Sequence, residues 1–295
     1  MPFYFKRKES VRKAVRRLCG ERLDDALELI ENAGRFEAVH NVRREIKKLR
    51  AVLRLIRADI GNDLYYERTN ALREAAQRLA ALRDAEAKLN AFNRLAKHFN
   101  GSPAKSLPKI KAALRENRCT EENRLFKGGT VAFLKEILCQ EKQRFDDLKL
   151  KSNGWKTVAP GLKKNYRRGR EAFETAEREP SPENLHEWRK RVKDLAHLLR
   201  LLSRARPRKL HACTDDLDKL GALLGDNHDL LMLKEFVTDK FSHSPGVKPL
   251  QKLISSCQEK SRSAALKLGA KLYPVKPKRF CRKIGRFWKS WKGKG

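Results

Sequence analysis

Apolar residues recur along most of this chain at steps of three and four, the spacing of one helix face. Between 36 and 59, Val42, Ile46, Leu49, Leu53 and Ile56 form such a stripe. The same step predicts helices over about 9–31, 36–59, 64–99, 105–117, 121–150, 161–178 and 246–272, and one opening at Pro182. Turn residues separate them: Gly34, Gly61-Asn62-Asp63, Asn100 to Pro103, Ser152 to Gly154 and Pro160-Gly161. Ser181 suits the N-cap of the helix after it and Pro182 its first position. Strand alternation and hairpin dipeptides are missing, so the pattern predicts an all-α protein.

The polar positions have a period of their own. His40, Arg43, Lys47, Arg50 and Arg54 follow steps of three, four, three and four, with Arg44 and Lys48 beside them. At about 100° per residue this cationic row lies roughly a quarter-turn from the apolar stripe. One side of the helix should therefore meet a core while the neighbouring side presents a line of cations.

That helix has a partner 146 residues on. Placing His186 on His40 puts Arg189 on Arg43, Lys190 on Arg44, Lys193 on Lys47 and Arg200 on Arg54. Val192, Leu195 and Leu199 fall on Ile46, Leu49 and Leu53. A second motif follows each at a similar distance: Leu79 to Asp84 in the first half, Leu224 to Asp229 in the second. The order and spacing indicate a duplicated module whose period is too long for a solenoid, favouring two facing bundles. The expected division is 1–152 and 153–273, followed by 274–295, a basic segment that is amphipathic or disordered. It holds nine Lys or Arg and no acid, with Phe280, Ile284, Phe287 and Trp291 at helical spacing.

Charge then narrows the partner. With 69 Lys and Arg against 36 acids among 295 residues, the chain carries +33. Such an excess implies a polyanionic partner: nucleic acid, an acidic membrane surface or a polyphosphate. The six cysteines lie at least 20 residues apart, without zinc-ligand spacing, and read as reduced thiols. No signal-peptide pattern or long apolar run appears, which leads us to expect a cytoplasmic protein.

The two His-x-x-Arg-x-x-x-Lys helices, the lead-in from Phe5 to Ser10 and both Leu-x-x-(Arg/His)-Asp segments resemble the CHAD domain, over roughly residues 3–272. The resemblance implies two four-helix bundles related by a pseudo-two-fold axis, with basic surfaces lining a central groove. It also implies binding of inorganic polyphosphate and association with polyphosphate granules. Carried onto this chain, the ligand candidates are His40, Arg43, Arg44, Lys47, Lys48, Arg50 and Arg54, then His186, Arg189, Lys190, Lys193 and Arg200. Asp194 and Ala196 stand where the first helix has Lys48 and Arg50, so the second row is thinner and the first wall should bind harder. Asp84 and Asp229 should each orient a cation of its own half, or cap a turn. The Glu-x-Glu-x-Lys strand of the CYTH phosphohydrolase domain, a frequent fusion partner, is absent.

Alternatives attach to several of these features. His40 and His186 could cap their helices, or donate to phosphate; metal ligation is disfavoured by Arg43 and Arg189, which occupy the i+3 positions. We expect no cofactor, no metal and no catalysis, a metal-assisted polyphosphate hydrolase or transferase being the enzymatic alternative. Nucleic acid is the main alternative partner, although the stripes carry no aromatics for base stacking. Trp188 reads as core. Phe287, Trp288 and Trp291 leave RNA or an acidic membrane surface as a secondary partner of the C-terminal segment. His98, His197, His211, His228 and His243 form no constellation in the sequence.

Overall fold

The computed structural model describes residues 2–32, 35–97, 107–242, 244 and 247–293. Among these, eleven α-helices and one 3-10 turn account for the regular structure, and no strand occurs. The helices are α1 (Val11–Asn32), α2 (Arg35–Ile60), α3 (Asn62–Arg78), α4 (Ala80–Ala96), α5 (Leu107–Lys127) and α6 (Thr130–Asp146). After a connector come α7 (Trp155–Arg178), α8 (Pro182–Leu202), the 3-10 turn Ser203–Ala205, α9 (Pro207–Phe241), α10 (Val247–Leu272) and α11 (Pro277–Lys292). The turn signals at Gly34 and at 100–103, with His98 and His243, lie outside the described residues.

Helix α2 is buried on more than its predicted stripe. Val42, Ile46, Leu49, Leu53 and Ile56 are core, and so are Ala51, Val52 and Leu55. It needs both faces because it packs on α1 and α3 on one side and on α7 and α8 on the other. Each large aliphatic side chain buried this way contributes about 1.5–3 kcal/mol. Helix α8 packs between α7 and α9, with Trp188 fully buried against Phe173. A second, smaller core joins α4 and α5 to the far halves of α9 and α10.

Local chemistry sets the helix boundaries. Ser10 Oγ accepts the Lys13 amide at 3.2 Å and Ser181 Oγ accepts the Asn184 amide at 3.2 Å, two side-chain N-caps. The expected helix over 64–99 is two helices broken at Leu79, whose φ is −92° and ψ 1°. The expected pair over 105–117 and 121–150 instead divides at Gly128-Gly129, where Gly129 takes φ +71°, a value that suits glycine. Pro160 and Gly161 do not end a segment: α7 runs through both, and the connector between α6 and α7 is 147–154. That connector is anchored by Asp59, which accepts the Ser152 amide at 3.1 Å, and by Asn153, which accepts the Val11 amide at 2.9 Å.

Gly161 has another purpose. A Cβ there would stand 2.1 Å from the Leu55 carbonyl oxygen and 2.6 Å from that of Arg54. Only glycine lets the backbones of α2 and α7 approach so closely. The C-terminal segment is likewise built into the fold: Cys281, Ile284 and Trp288 of α11 are buried, and Trp288 packs on Trp155 of α7 and edge-on to Phe5.

Gly161→Ala should destabilise the protein by about 1–3 kcal/mol, because backbone cannot give way as a side chain can. Gly20→Ala in α1, where a Cβ meets nothing within 4 Å, should instead stabilise by about 0.5–1 kcal/mol. Urea denaturation of both variants checks the pair, and equal shifts would contradict the close-approach account.

Candidate functional site

The cationic rows of α2 and α8 face each other across a groove formed by two adjoining cavities of about 510 and 610 Å³. Both cavities share Arg43, Lys47, Arg83, Lys193 and His197. The first is completed by His40, Arg44, Lys48 and Arg200, with Phe3 at its edge. The second takes Arg50, Arg54, His186, Arg189 and Lys190, with Tyr65 and Tyr66 at its edge. All twelve residues proposed from the sequence as ligands therefore lie on this groove. So do Arg57, Arg73, Arg168 and Arg191, which the helical stripes did not single out.

Few carboxylates balance these charges. Asp194 holds Arg54 across the helix interface at 3.2 Å and Arg191 at 3.4 Å. Asp218 holds Arg200, and Glu187 holds Lys190 at 2.7 Å. Buried Glu45 pairs with Arg22 at 3.5 Å on one side and with the groove cations Lys48 at 2.8 Å and Arg44 at 3.4 Å on the other. Lys47, Arg50, Arg189 and Lys193 in the rows, together with Arg43, Arg57, Arg73 and Arg168, form no ion pair with a carboxylate among the described residues. The Nε atoms of Arg50 and Arg189, and that of Arg43, are buried without an acceptor, as is Nδ1 of His186. The remaining reach of Arg43 is spent on the Ala76 carbonyl, in the last turn of α3 just before the Leu79 break.

Crowding is visible in the acidities. Burial, reinforced by Arg189, Lys47 and Arg83, lowers the Lys193 ammonium to about 7. Lys47 keeps solvent contact through the groove, yet the protein massed around it, with Arg43, Arg83 and Arg189, lowers it to about 8. Burial also lowers Arg50 to about 10. His40 and His186 fall below the usual histidine range through burial first and neighbouring cations second. Neither histidine begins its helix. His40 is the sixth residue of α2 and His186 the fifth of α8, whose N-cap is Ser181.

Arg83 is the centre that the helical stripes did not reveal. It donates to Asp84 at 2.9 Å and to Asp229 at 3.2 Å, and these two partners raise its already high pKa against the cost of burial. Asp84 thus holds its own neighbour, while Asp229 of α9 reaches across to the same guanidinium on α4. The corresponding motif in the second half offers His228, whose ring lies 4.5 Å from that of His186 and whose pKa burial lowers to about 4. His197, which belongs to no sequence constellation, continues the α8 row one turn beyond Lys193. It stands edge-on to Phe3 at 6.5 Å, and burial lowers it to about 3. His211 does not line either cavity. No group of three or more His, Cys, Asp or Glu suited to a metal occurs among the described residues.

Chemically, such a groove can hold an extended anion. Arginine offers paired N–H donors to phosphate or carboxylate oxygens, and lysine a mobile point charge. No curated protein matches the chain. Its fold is similar to the crystal structure of the CHAD domain from the plant Ricinus communis, with TM-score 0.60, 14% identity and coverage of 97% of this chain and 96% of that one. It is also similar to PptA from Streptomyces chartreusis, with TM-score 0.59, 14% identity and coverage of 94% and 98%. At these identities the likeness concerns the fold. In sequence, residues 10–238 match the CHAD domain, which takes in the cationic helices of both halves, and the chain belongs to the CHAD domain family.

Proposed function

We propose that this protein binds inorganic polyphosphate in the groove between α2 and α8 and is thereby held at polyphosphate granules, as a binding protein rather than an enzyme. The observation that carries this reading is the set of groove cations, Lys47, Arg50, Arg189 and Lys193 at its centre, left without carboxylate partners among the described residues. A free protein bears the repulsion among them, and an anion with one charge per phosphate relieves it along the whole groove. The row spacing of one helical turn, roughly 5 Å, suits a flexible thread carrying no sequence to read. Family membership supports the same ligand. Among the described residues no helix is long and apolar enough to cross a membrane. Exposed Tyr66 on the groove lining favours nucleic acid as the second reading, since a base could stack there.

We also infer that the chain arose by duplication of one five-part module. Adding 146 to the bounds of α2, 35–60, gives 181–206, against 182–202 for α8 and 203–205 for the 3-10 turn. The same shift carries α1 to α7, the broken pair α3 and α4 to the single α9, α5 to α10, and α6 to α11 within six residues. Packing supports the correspondence: α6 lies on α1 as α11 lies on α7, and α5 on α4 as α10 on α9.

Replacing Arg43, Lys47, Arg189 and Lys193 together by Ala should weaken long-chain polyphosphate binding by about 100-fold or more, since each charge-assisted hydrogen bond contributes about 1.5–3 kcal/mol. Affinity titrations at two salt concentrations, beside RNA of equal charge, check this. Equal affinity for RNA and polyphosphate, or no loss in the variant, would sink the proposal.

Binding should also take up protons. In the free protein Lys193 and Lys47 titrate near 7 and 8, and a bound phosphate raises both. Affinity should therefore fall as pH rises from about 7 towards the ordinary lysine range near 10.4. Lys193→Arg should flatten that slope. If His40 and His186 donate to phosphate, a further gain appears only below pH 6.5, because both are lowered from that value. Isothermal titration in buffers of different ionisation enthalpy reads the proton uptake directly.

Incubating the protein with polyphosphate and Mg²⁺ should leave the chain-length ladder on a gel unchanged. Progressive shortening would establish the metal-assisted hydrolase instead.

A further inference from the structure

The groove does not account for the other large concentration of charge in the molecule. Along α11, Lys278, Arg279, Arg282, Lys283, Arg286 and Lys289 are all exposed or half-exposed, and no carboxylate among the described residues pairs with any of them. Four of them, Lys278, Arg282, Arg286 and Lys289, follow steps of four, four and three and so share one outward face. The helix is about 24 Å long at about 1.5 Å per residue, comparable with the length of α2 that lines the groove. Its aromatic residues are not available to a ligand in the same way. Trp288 is buried, and Phe280, Phe287 and Trp291 pack against the core. What faces outward is cationic and lacks the stacking platforms by which single-stranded nucleic acids are usually held. It also lacks an apolar face free to enter a membrane interface.

The chain connects this face to the groove along two routes. Phe3 edges the first cavity, and the lead-in continues from it through exposed Lys6, Arg7 and Lys8. It arrives at the end of α11, where Lys292 Nζ donates to the carbonyls of Lys6, Arg7 and Glu9 at 3.0, 2.8 and 2.7 Å. Arg200, also on the first cavity, is followed one turn later by exposed Arg204, which donates to Tyr4 Oη at 2.8 Å. The 3-10 turn containing Arg204 packs directly on α11. Beyond it, Arg206, Arg208 and Lys209 are exposed as well. Cations therefore continue from the mouth of the groove, around the Phe3 edge, to the outer face of α11.

We propose that α11 is a second, external track for the same polyphosphate chain: a molecule long enough to fill the groove leaves it past Phe3 and lies along Lys278, Arg282, Arg286 and Lys289. This rests on the groove reading and gives it a length dependence. Short chains engage the groove alone, whereas long chains gain from both tracks, because the second track is engaged at the high local concentration set by the first.

The test is a variant with Lys278, Arg282, Arg286 and Lys289 all replaced by Gln. All four are exposed, so the fold should persist, which circular dichroism and the melting temperature establish. Tripolyphosphate, too short to span both tracks, should bind this variant as it binds the unaltered protein. Long-chain polyphosphate should bind about 10-fold or more weakly at low salt. Its log–log salt slope should become shallower by about 3, since each phosphate neutralised on a single strand contributes roughly 0.7. An unchanged long-chain affinity and slope, or a weakening seen only with RNA, would overturn the external track while leaving the groove intact. Failure of the groove reading looks different. In that case the variant lacking Arg43, Lys47, Arg189 and Lys193 binds tripolyphosphate as well as the unaltered protein does.

Discussion

The contact that the groove depends on is the close crossing of α2 and α7 at Gly161. Like charges do not assemble of their own accord, and Lys47 stands near enough to Lys193 to help lower its pKa. What holds them there is apolar packing on the far sides of the helices that carry them. Ala51, Val52 and Leu55 of α2 are buried in the shared core, α2 rests on α7, and α7 carries α8 in turn. Core burial worth a few kcal/mol per side chain thus works against repulsion on the opposite face. Destabilising charge is kept only where the core can outweigh it, and so the crowded cations lie beside the most deeply buried helices.

Two ion pairs join the facing walls and limit how far they can separate. Arg54 to Asp194 bridges α2 and α8, and Arg83 to Asp229 bridges α4 and α9. Both are half-buried, so they serve more as fixed points than as sources of stability. Each also removes one cation from the count of those available to a ligand. The second wall's thinner row is therefore not a simple deficit: Asp194, which stands where the first helix has Lys48, supplies the acid that docks the two walls.

The helices and their cationic rows were legible because both depend on local periodicity, which a stripe such as Val42 to Ile56 displays directly. The breaks were less so. Leu79 carries no turn chemistry to mark the end of α3, whereas α9 runs unbroken over 35 residues. Pro160-Gly161 has the look of a loop signal, but Gly161 is required by a neighbour 106 residues away in sequence. Arg83 was hidden for the same kind of reason. It belongs to no stripe, and its place at the centre of the groove comes from a carboxylate in the other half. The basic C-terminal stretch could be read for amphipathicity, but not for the fact that its apolar side meets Trp155 and Phe5 of the same chain.

That last meeting bears on the order of assembly. Lys292 uses its three N–H groups on carbonyls of the lead-in, and Trp288 meets Phe5 edge-on. The lead-in, synthesised before α1, cannot reach its final contacts until α11 has been made. A nascent chain must therefore leave Phe5 without its Trp288 contact while the helices between them form and pack. The lead-in that brings Phe3 to the rim is thus pinned at its far end by a helix that contributes nothing to the groove's own lining.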